Sequence, residues 1–136
     1  MVPDAVVREL TLRPGAPGSE APRLEFVERL SPDPANVDLV AAGTPSIEAG
    51  EREVIALALG TGATAVMDDR RARSRGRRLG IPLTGTLGVL AALHYAGQAH
   101  QSFEQDLDTL DQAGMYLTDD LRRRVVDRFR TGPGGI

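Results

Sequence analysis

The stretch that decides the fold is residues 50–90, GEREVIALALGTGATAVMDDRRARSRGRRLGIPLTGTLGVL. Apolar residues recur at helical spacing over Glu51–Leu59, which predicts an amphipathic helix that ends at Gly60 and Gly62. The apolar run Ala63–Met67 that follows has the length of a strand. A helix followed by a strand is the first half of an alternating pattern.

The same pattern continues to the end of this stretch. We predict a basic helix over Asp69–Leu79, a short strand over Ile81–Leu83, and a helix that Thr86 caps and that runs to about Tyr95. Because alternating helices and strands imply right-handed crossovers, they favour a parallel sheet. The sequence therefore predicts an α/β fold.

The flanking segments are read in the same way. Before residue 50 we predict a helix over Asp4–Leu10, a loop over residues 13–22, a strand over Leu24–Leu30 and a short helix over Ala35–Ala42. After residue 95 we predict helices over Ser102–Ala113 and Asp119–Phe129, with Thr118 as a cap, and a flexible tail over residues 131–136. At this length we expect residues 1–136 to form a single domain.

Composition excludes several classes of protein. The 136 residues are 41% apolar, carry a net charge of −3 and include no cysteine, which excludes disulfides, thiolate nucleophiles and cysteine–zinc sites. No apolar run is long enough for a membrane span, and the N-terminus does not resemble a signal peptide, so we expect a cytoplasmic protein without membrane contact. All sixteen basic residues are arginine, and the mild acidity still allows a local basic patch.

Two carboxylates fall on apolar helix faces. At about 100° per residue, Glu51 is centred on the apolar stripe of its helix, whereas Glu53 points to roughly the opposite side. Glu9 lies in the apolar face of the first helix, about 20° from Val2, on the face that also carries Val6 and Leu10. Each acid could lie solvated at the rim of its stripe, or it could be paired or bind a cation.

A third acidic position directly follows a predicted strand. Asp68 and Asp69 end the run ATAVM, and ligands of open α/β sheets bind at the carboxyl ends of strands. Asp68 could instead cap the next helix, with Asp69 favouring its dipole, and capping does not exclude metal binding. Converging carboxylates are typical of Mg²⁺ or Mn²⁺ sites, and such ions support phosphodiester hydrolysis.

Residues 50–90 resemble the PIN-domain family, in particular a bacterial and archaeal subgroup of PIN-like nucleic-acid-binding proteins. The matching segments are Gly50–Glu53, Ile55–Ala58, Asp68-Asp69 and Thr84–Leu90, and the opening VPDAVVREL is similar to the Val-Pro…Glu-Leu segment of the family. The similarity covers nearly the whole chain. It implies a three-layer fold around a parallel sheet and a Mg²⁺- or Mn²⁺-dependent ribonuclease, many of which are toxins of toxin–antitoxin pairs.

The resemblance also implies a role for each matching residue. The catalytic acids are Glu9, Glu51 and Asp69, and the metal ligands are Glu51 and Asp69 with Asp68 beside them. Glu9 would orient water or a second ion. Thr84 or Thr86 matches a small polar position that contacts water or phosphate.

One part of the family pattern is missing. The family normally begins with a central strand that bears the first catalytic Asp, followed by a helix, and this segment precedes the Val-Pro pair, here Val2-Pro3. Either the true start lies upstream, or the chain is a degenerate fragment, or another chain supplies the strand. We therefore expect an N-terminally truncated fold with exposed strand edges, an incomplete acidic site, and weak Mn²⁺ binding and little RNA cleavage by the purified chain.

Arginines dominate the helix that follows Asp69. Arg70 and Arg71 head this series and could contact RNA phosphates, or the helix could present a solvated face in an arginine-rich protein. No aromatic residue interleaves the series, so stacking on bases is not expected there. We interpret Gly60–Ala63 as a helix C-cap and His94 and His100 as structural or surface residues.

Three functions remain open at this stage. The first is a PIN-like ribonuclease, with RNA as substrate and an antitoxin protein or a second copy of the chain as partner. The second is a catalytically inactive PIN-like remnant that acts as an interaction module. The third is a small-ligand-binding α/β domain whose acids serve only as helix caps.

Overall fold

In a computed structural model the chain forms two compact units, Met1–Thr84 and Gly85–Ile136, each of which has its own apolar core. The structure describes residues 1–12, 15, 19, 25–43 and 46–133. Most of the predicted loop 13–22, Leu24 of the predicted strand, and residues 134–136 of the predicted tail lie outside these ranges.

The first unit contains four helices and a small parallel sheet among its described residues. The elements are α1 Asp4–Thr11, α2 Pro34–Ala42, α3 Ala49–Thr61, β1 Ala65–Val66, α4 Arg70–Arg78 and β2 Leu83–Thr84. β1 and β2 are parallel, with Ala65 opposite Leu83 and Val66 opposite Thr84. Two parallel strands must be joined by a crossover connection, and α4 is that connection between β1 and β2.

Helix α3 is the centre of the first unit. Ile55 and Ala56 are fully buried in a core that also contains Val40 of α2. The helix ends at Gly62, whose φ of 73° is the left-handed conformation that glycine adopts without strain. Helix α3 packs against both α1 and α2. These contacts fix the position of its N-terminal residues relative to α1.

The second unit consists of three helices in its described part, α5 Thr86–Tyr95, α6 Phe103–Gln112 and α7 Asp119–Arg130. Its core is built around Leu107 and Phe103, with Ala91 and Leu117 also buried. The ring of Phe129 stacks on Phe103 with a centroid separation of 4.0 Å. The predicted cap Thr118 is confirmed, since its side chain accepts a hydrogen bond from Leu121 N, and Ser102, predicted as the first residue of α6, is instead its N-cap and accepts from Gln105 N.

The α/β prediction is confirmed in its coarse form, as a mostly helical chain with a small parallel sheet. The strand predicted over Ala63–Met67 shortens to two residues, and the strand predicted over Ile81–Leu83 begins later, at Leu83. The strand predicted over Leu24–Leu30 is wrong for residues 25–30, where only Arg29 forms an isolated parallel bridge, to Val2. The segment contains three charged residues, and among the described residues it pairs with another segment at one position only. It therefore forms no continuous ladder of backbone hydrogen bonds with the described part of the chain.

One predicted capping residue is also wrong, and so is one capping alternative that the sequence left open. Gly85, not Thr86, is the N-cap of α5, and Asp69, not Asp68, is the N-cap of α4. In both cases the helix begins one residue away from the start that the expected cap implies. No described helix is long and apolar enough to cross a membrane.

Candidate active site

Glu9, near the C-terminal end of α1, lies at the N-terminus of α3. Its Oε1 accepts a hydrogen bond from Gly50 N at 3.1 Å, and the first N–H groups of a helix have no partner within the helix. Glu9 is exposed at the rim of its helix, and no charged residue is buried in the described part of the chain. The negative carboxylate is favoured there by the helix dipole.

Glu51 belongs to the same helix N-terminus and is half-buried. Its Oε2 accepts a hydrogen bond from Glu48 N at 3.2 Å, where Glu48 is the N-cap residue. Burial raises the pKa of the Glu51 carboxyl, the Glu48 N–H opposes that rise, and the negative charges of Asp69, Glu48 and Glu9 add to it. The predicted position of Glu51 on the core-facing side of α3 agrees with this partial burial.

Asp69 performs the capping role at the start of α4. Its Oδ1 accepts hydrogen bonds from Arg71 N and Ala72 N, both at 2.8 Å. Within the described residues Oδ2 accepts no hydrogen bond, so it can still interact with a cation. Asp68, the neighbouring residue, is exposed and also takes part in a polar or electrostatic interaction.

The structure therefore brings Glu9, Glu51 and Asp69 into one electrostatic neighbourhood, because the charges of Glu9 and Asp69 both act on Glu51. Carboxylate oxygens are the donors that Mg²⁺ and Mn²⁺ prefer, and a cation would offset the repulsion that raises the pKa of Glu51. Among the described residues, however, no three acidic or histidine side chains converge closely enough to hold one ion. Carboxylate oxygens are thus suitable ligands for Mg²⁺ or Mn²⁺, but the described side chains are too far apart to coordinate one ion together.

Glu53 has a role that the sequence reasoning missed. Its Oε2 accepts a hydrogen bond from Ala5 N at 2.9 Å, and its Oε1 lies 3.8 Å from Arg8 Nη2. Helices α1 and α3 thus cap each other, with Glu9 on the N-terminus of α3 and Glu53 on that of α1. The available signal was the start of α1 at Pro3, which provides no side-chain acceptor for the first N–H groups.

The arginines of α4 fall into two groups. Arg73 donates from Nη1 to Met67 O at 2.9 Å, and Arg75 donates to two carbonyl groups at the end of α2. Arg70 and Arg71, which follow the Asp69 cap, are exposed. Arg70 and Arg71 are therefore available for a ligand, as are the exposed Arg77 and Arg78, whereas Arg73 and Arg75 bind carbonyl groups of the chain itself.

The two threonines of the predicted site lie in different units. Thr84 ends β2, and its carbonyl oxygen accepts a hydrogen bond from Met67 N at 3.0 Å. Thr86 is the first residue of α5 in the second unit. Both have polar partners in the structure.

An apolar cleft of about 340 Å³ lies between the N-terminal segment and β1 in the first unit. Val2, Val54 and Val66 are among its lining residues, and Val66 is 51% exposed. In the described part of the chain β1 pairs with β2 alone. The exposed strand edge that the sequence predicts is therefore consistent with this geometry, whereas the truncation and the three-layer arrangement stay predictions.

The sequence profile of a family of PIN domains matches residues 1–131, and the chain belongs to that family. Neither the curated proteins nor the solved structures give a significant match to it. Membership in the family confirms the resemblance carried by residues 50–90 and indicates a nuclease-like role.

Proposed function

We propose that the chain is a Mg²⁺- or Mn²⁺-dependent endoribonuclease. Glu51 and Asp69, with Asp68 beside them, are the metal ligands in this proposal, and Glu9 orients water or a second ion. Arg70, Arg71, Thr84 and Thr86 contact the RNA. The observation that supports the proposal is the neighbourhood of Glu51, whose pKa is raised in part by the charges of Glu9 and Asp69.

A divalent ion held by these carboxylates would activate water and stabilise the charge of a phosphoryl transition state. The chain's own part is to fix its carboxylates before the ion arrives. Glu9, Glu51 and Asp69 each use one oxygen to accept a backbone N–H, which limits the orientations of the side chain. Fixed carboxylates reduce the reorganisation that binding of an ion requires.

Amide variants provide a direct test, because each keeps the oxygen that accepts the backbone hydrogen bond. Asp69→Asn preserves the N-cap, since asparagine caps helices as well as aspartate does. We expect slow Mn²⁺-dependent cleavage of single-stranded RNA that Asp69→Asn reduces more than the about 10–100-fold typical of outer-shell metal partners. Unfolding midpoints of the variant and the parent chain should agree.

The outcome that contradicts this proposal is cleavage that survives Asp69→Asn or continues in EDTA. Asp38→Asn is a matched control, since it removes one charge from α2 and touches none of the acids around Glu51. Its cleavage rate should equal that of the parent chain.

The second candidate function is an inactive interaction module. It is favoured by the capping bonds themselves, because Glu9, Glu51 and Asp69 each already stabilise a helix N-terminus without any metal. An interaction module predicts no cleavage at any Mn²⁺ concentration and no change in the unfolding midpoint when Mn²⁺ is added. The ribonuclease predicts a rise in the midpoint with Mn²⁺ that Asp69→Asn abolishes.

The biological setting that we infer is a cytoplasmic toxin–antitoxin module. The antitoxin protein would be the natural partner, and a homodimer is the other assembly consistent with the family resemblance. Co-expression with the product of an adjacent gene, followed by size-exclusion chromatography of the complex, tests both assemblies. A monomer that binds neither partner would contradict this setting and would leave the cleavage test unaffected.

A further inference from the structure

Four arginines of α4 share one exposed side of the helix. At about 100° per residue, residues 70, 71, 74, 77 and 78 fall within one third of the circumference. Ala72 and Gly76 are buried on the opposite side. We call the exposed side the α4 arginine face and define it by Arg70, Arg71, Arg77 and Arg78, all of which are exposed.

The other two arginines of the helix flank this face and serve the fold. Arg73 binds the carbonyl of Met67 and Arg75 binds those of Leu39 and Val40. The face, in contrast, forms no ion pair with a carboxylate among the described residues, and the sequence from 70 to 78 contains no acid. Unpaired like charges on one helix face repel each other and weaken the helix.

Helix α7 differs from α4, because three of its five arginines form ion pairs. Arg122, Arg123 and Arg130 of α7 pair with Asp108, Asp120 and Glu104 respectively. An arginine-rich helix of this chain can therefore pair most of its guanidinium groups with carboxylates, which α4 does not do among the described residues. The α4 arginine face, which pairs with no carboxylate of the described residues, is a local positive surface on a chain whose net charge is −3.

We propose that the α4 arginine face is a track for the backbone of single-stranded RNA, contacted at two places along the helix. Arg70 with Arg71 and Arg77 with Arg78 form two pairs about 10 Å apart along the axis, since each residue rises about 1.5 Å. Guanidinium groups form bidentate bonds with phosphate. No aromatic residue lies between positions 70 and 78, so the track reads charge and is indifferent to base sequence.

One end of the α4 arginine face lies next to an acid of the candidate site. Arg70 and Arg71 directly follow Asp69, and Arg77 and Arg78 lie two turns further along α4. The first pair thus holds phosphates beside the carboxylates, and the second pair holds a part of the strand that extends away from them. The choice of RNA as ligand rests on the proposed function, whereas the contact surface itself rests on the arrangement of α4.

The test is binding of a fluorescein-labelled single-stranded RNA by the full chain in EDTA, measured by anisotropy at several salt concentrations. Arg77→Gln/Arg78→Gln should weaken binding about tenfold and lower the slope of log K against log salt by about 1.4, since each phosphate contact on a single strand contributes about 0.7. Arg70→Gln/Arg71→Gln should have the same effect. Arg123→Gln/Arg124→Gln on α7 removes the same charge and should change the slope by less than half as much.

Three results would overturn the track. These are RNA binding that neither α4 variant weakens, an equal loss in the α7 control, and a loss confined to the Arg70/Arg71 variant. Far-ultraviolet circular dichroism of each variant checks that α4 remains folded, and glutamine is a good helix former. The binding assay contains EDTA and therefore no free metal ion, whereas the proposed ribonuclease activity is tested by Mn²⁺-dependent cleavage. A negative binding result would therefore contradict the RNA track without contradicting the proposed activity.

Discussion

The carboxylate of Glu9 occupies the space that a side chain at Gly50 would need. A Cβ atom built on Gly50 would lie 2.6 Å from Oε1 and 2.8 Å from Oε2 of Glu9. Since Gly50 N also donates to Glu9, the absence of a side chain at position 50 lets the carboxylate approach the helix N-terminus directly. The glycine that begins the GERE segment is therefore part of the candidate site.

The first prediction concerns this contact. Gly50→Ala should lower the free energy of unfolding by about 1–1.5 kcal/mol, because the new methyl group displaces the flexible end of the Glu9 side chain and breaks its hydrogen bond with Gly50 N. Gly60→Ala is a matched control on the same helix, since its Cβ meets only the flexible amide of Asn36 at 3.3 Å. That control should be neutral or stabilise by up to about 1 kcal/mol, as alanine does in helices. Urea unfolding measures both variants.

A double-mutant cycle shows whether the clash is the cause. In a Glu9→Ala background the carboxylate is absent, so the cost of Gly50→Ala should fall by at least about 1 kcal/mol. An equal cost in both backgrounds would mean that the alanine disturbs α3 for some other reason.

The second prediction concerns the pH dependence of stability. The pKa of Glu51 is raised above its ordinary value of 4.5 in the folded chain, mainly by burial and then by neighbouring acids. The folded state therefore holds this proton more tightly than the unfolded state does. The contribution of Glu51 is full below about pH 4.5 and is lost as the pH rises through the higher folded value.

Glu51→Gln should remove this loss while keeping the hydrogen bond from Glu48 N. We expect the variant to be at least as stable as the parent chain at pH 7 and to gain less on acidification, as measured by urea unfolding between pH 4 and pH 7. Glu53→Gln is the opposite control, because Glu53 accepts from Ala5 N and lies beside Arg8, and the loss of its charge should lower stability at pH 7. A lower stability of Glu51→Gln at pH 7 would contradict the assignment.

Helices could be predicted from the sequence because their determinants are local. The end of α5 at Tyr95 and the cap Thr118 follow from apolar periodicity and residue type within a few positions. The partial burial of Glu51 follows from the same periodicity. Strand lengths could not be predicted in this way, because a strand extends only as far as a partner from another part of the chain pairs with it.

The candidate site was predicted as a group of acids but not as a set of contacts. Glu53 was placed away from the core by its angle on α3, yet it caps α1, because the packing of two helices and not the periodicity of one decides which side chains meet. The distinction between Arg75 and Arg71 is of the same kind. Only the position of α2 decides that one binds carbonyl groups and the other remains exposed.

The third prediction concerns the link between α4 and α2. Arg75 donates from Nη2 to Leu39 O at 2.6 Å and from Nε to Val40 O at 3.2 Å, at the carbonyl end of α2. Arg75→Ala should cost about 1.5–3 kcal/mol of stability, the range for hydrogen bonds from charged groups. Arg75→Lys should recover only part of this, since one ammonium group cannot reproduce the two-pronged geometry.

The control for this link is Arg71→Ala on the same helix, which should change stability by no more than about 0.5 kcal/mol because its side chain is exposed. Gly43→Ala provides an independent check, since a Cβ there would lie 2.5 Å from Arg75 Cζ. It should destabilise the parent chain and have little effect in an Arg75→Ala background. Equal effects of Arg75→Ala and Arg71→Ala would contradict the structural role of Arg75.

The fourth prediction concerns the second unit, where His94 of α5 contacts Asp106 of α6. The Nε2 and Oδ2 atoms are 2.6 Å apart, and the rings of Phe103 and Phe129 meet His94 edge-on. The hydrogen bond from Gln101 lowers the pKa of Asp106 most, and the hydrogen bond and charge of His94 lower it further. A lowered folded pKa means that the unfolded state binds the proton more tightly.

The stabilising contribution of Asp106 is therefore present above its ordinary value of 3.8 and is lost as the pH falls through the lower folded value. Asp106→Asn should be less stable than the parent chain at pH 6, and the difference should shrink at pH 3. Asp108→Asn is the control on the same helix, because Asp108 pairs with Arg122 at an exposed position where ion pairs contribute at most about 1 kcal/mol. Fluorescence of Tyr95, whose hydroxyl donates to Phe129 O in the same core, reports the unfolding of this unit. A difference between Asp106→Asn and the parent chain that stays constant from pH 6 to pH 3 would show that packing against His94, and not charge, accounts for the role of Asp106.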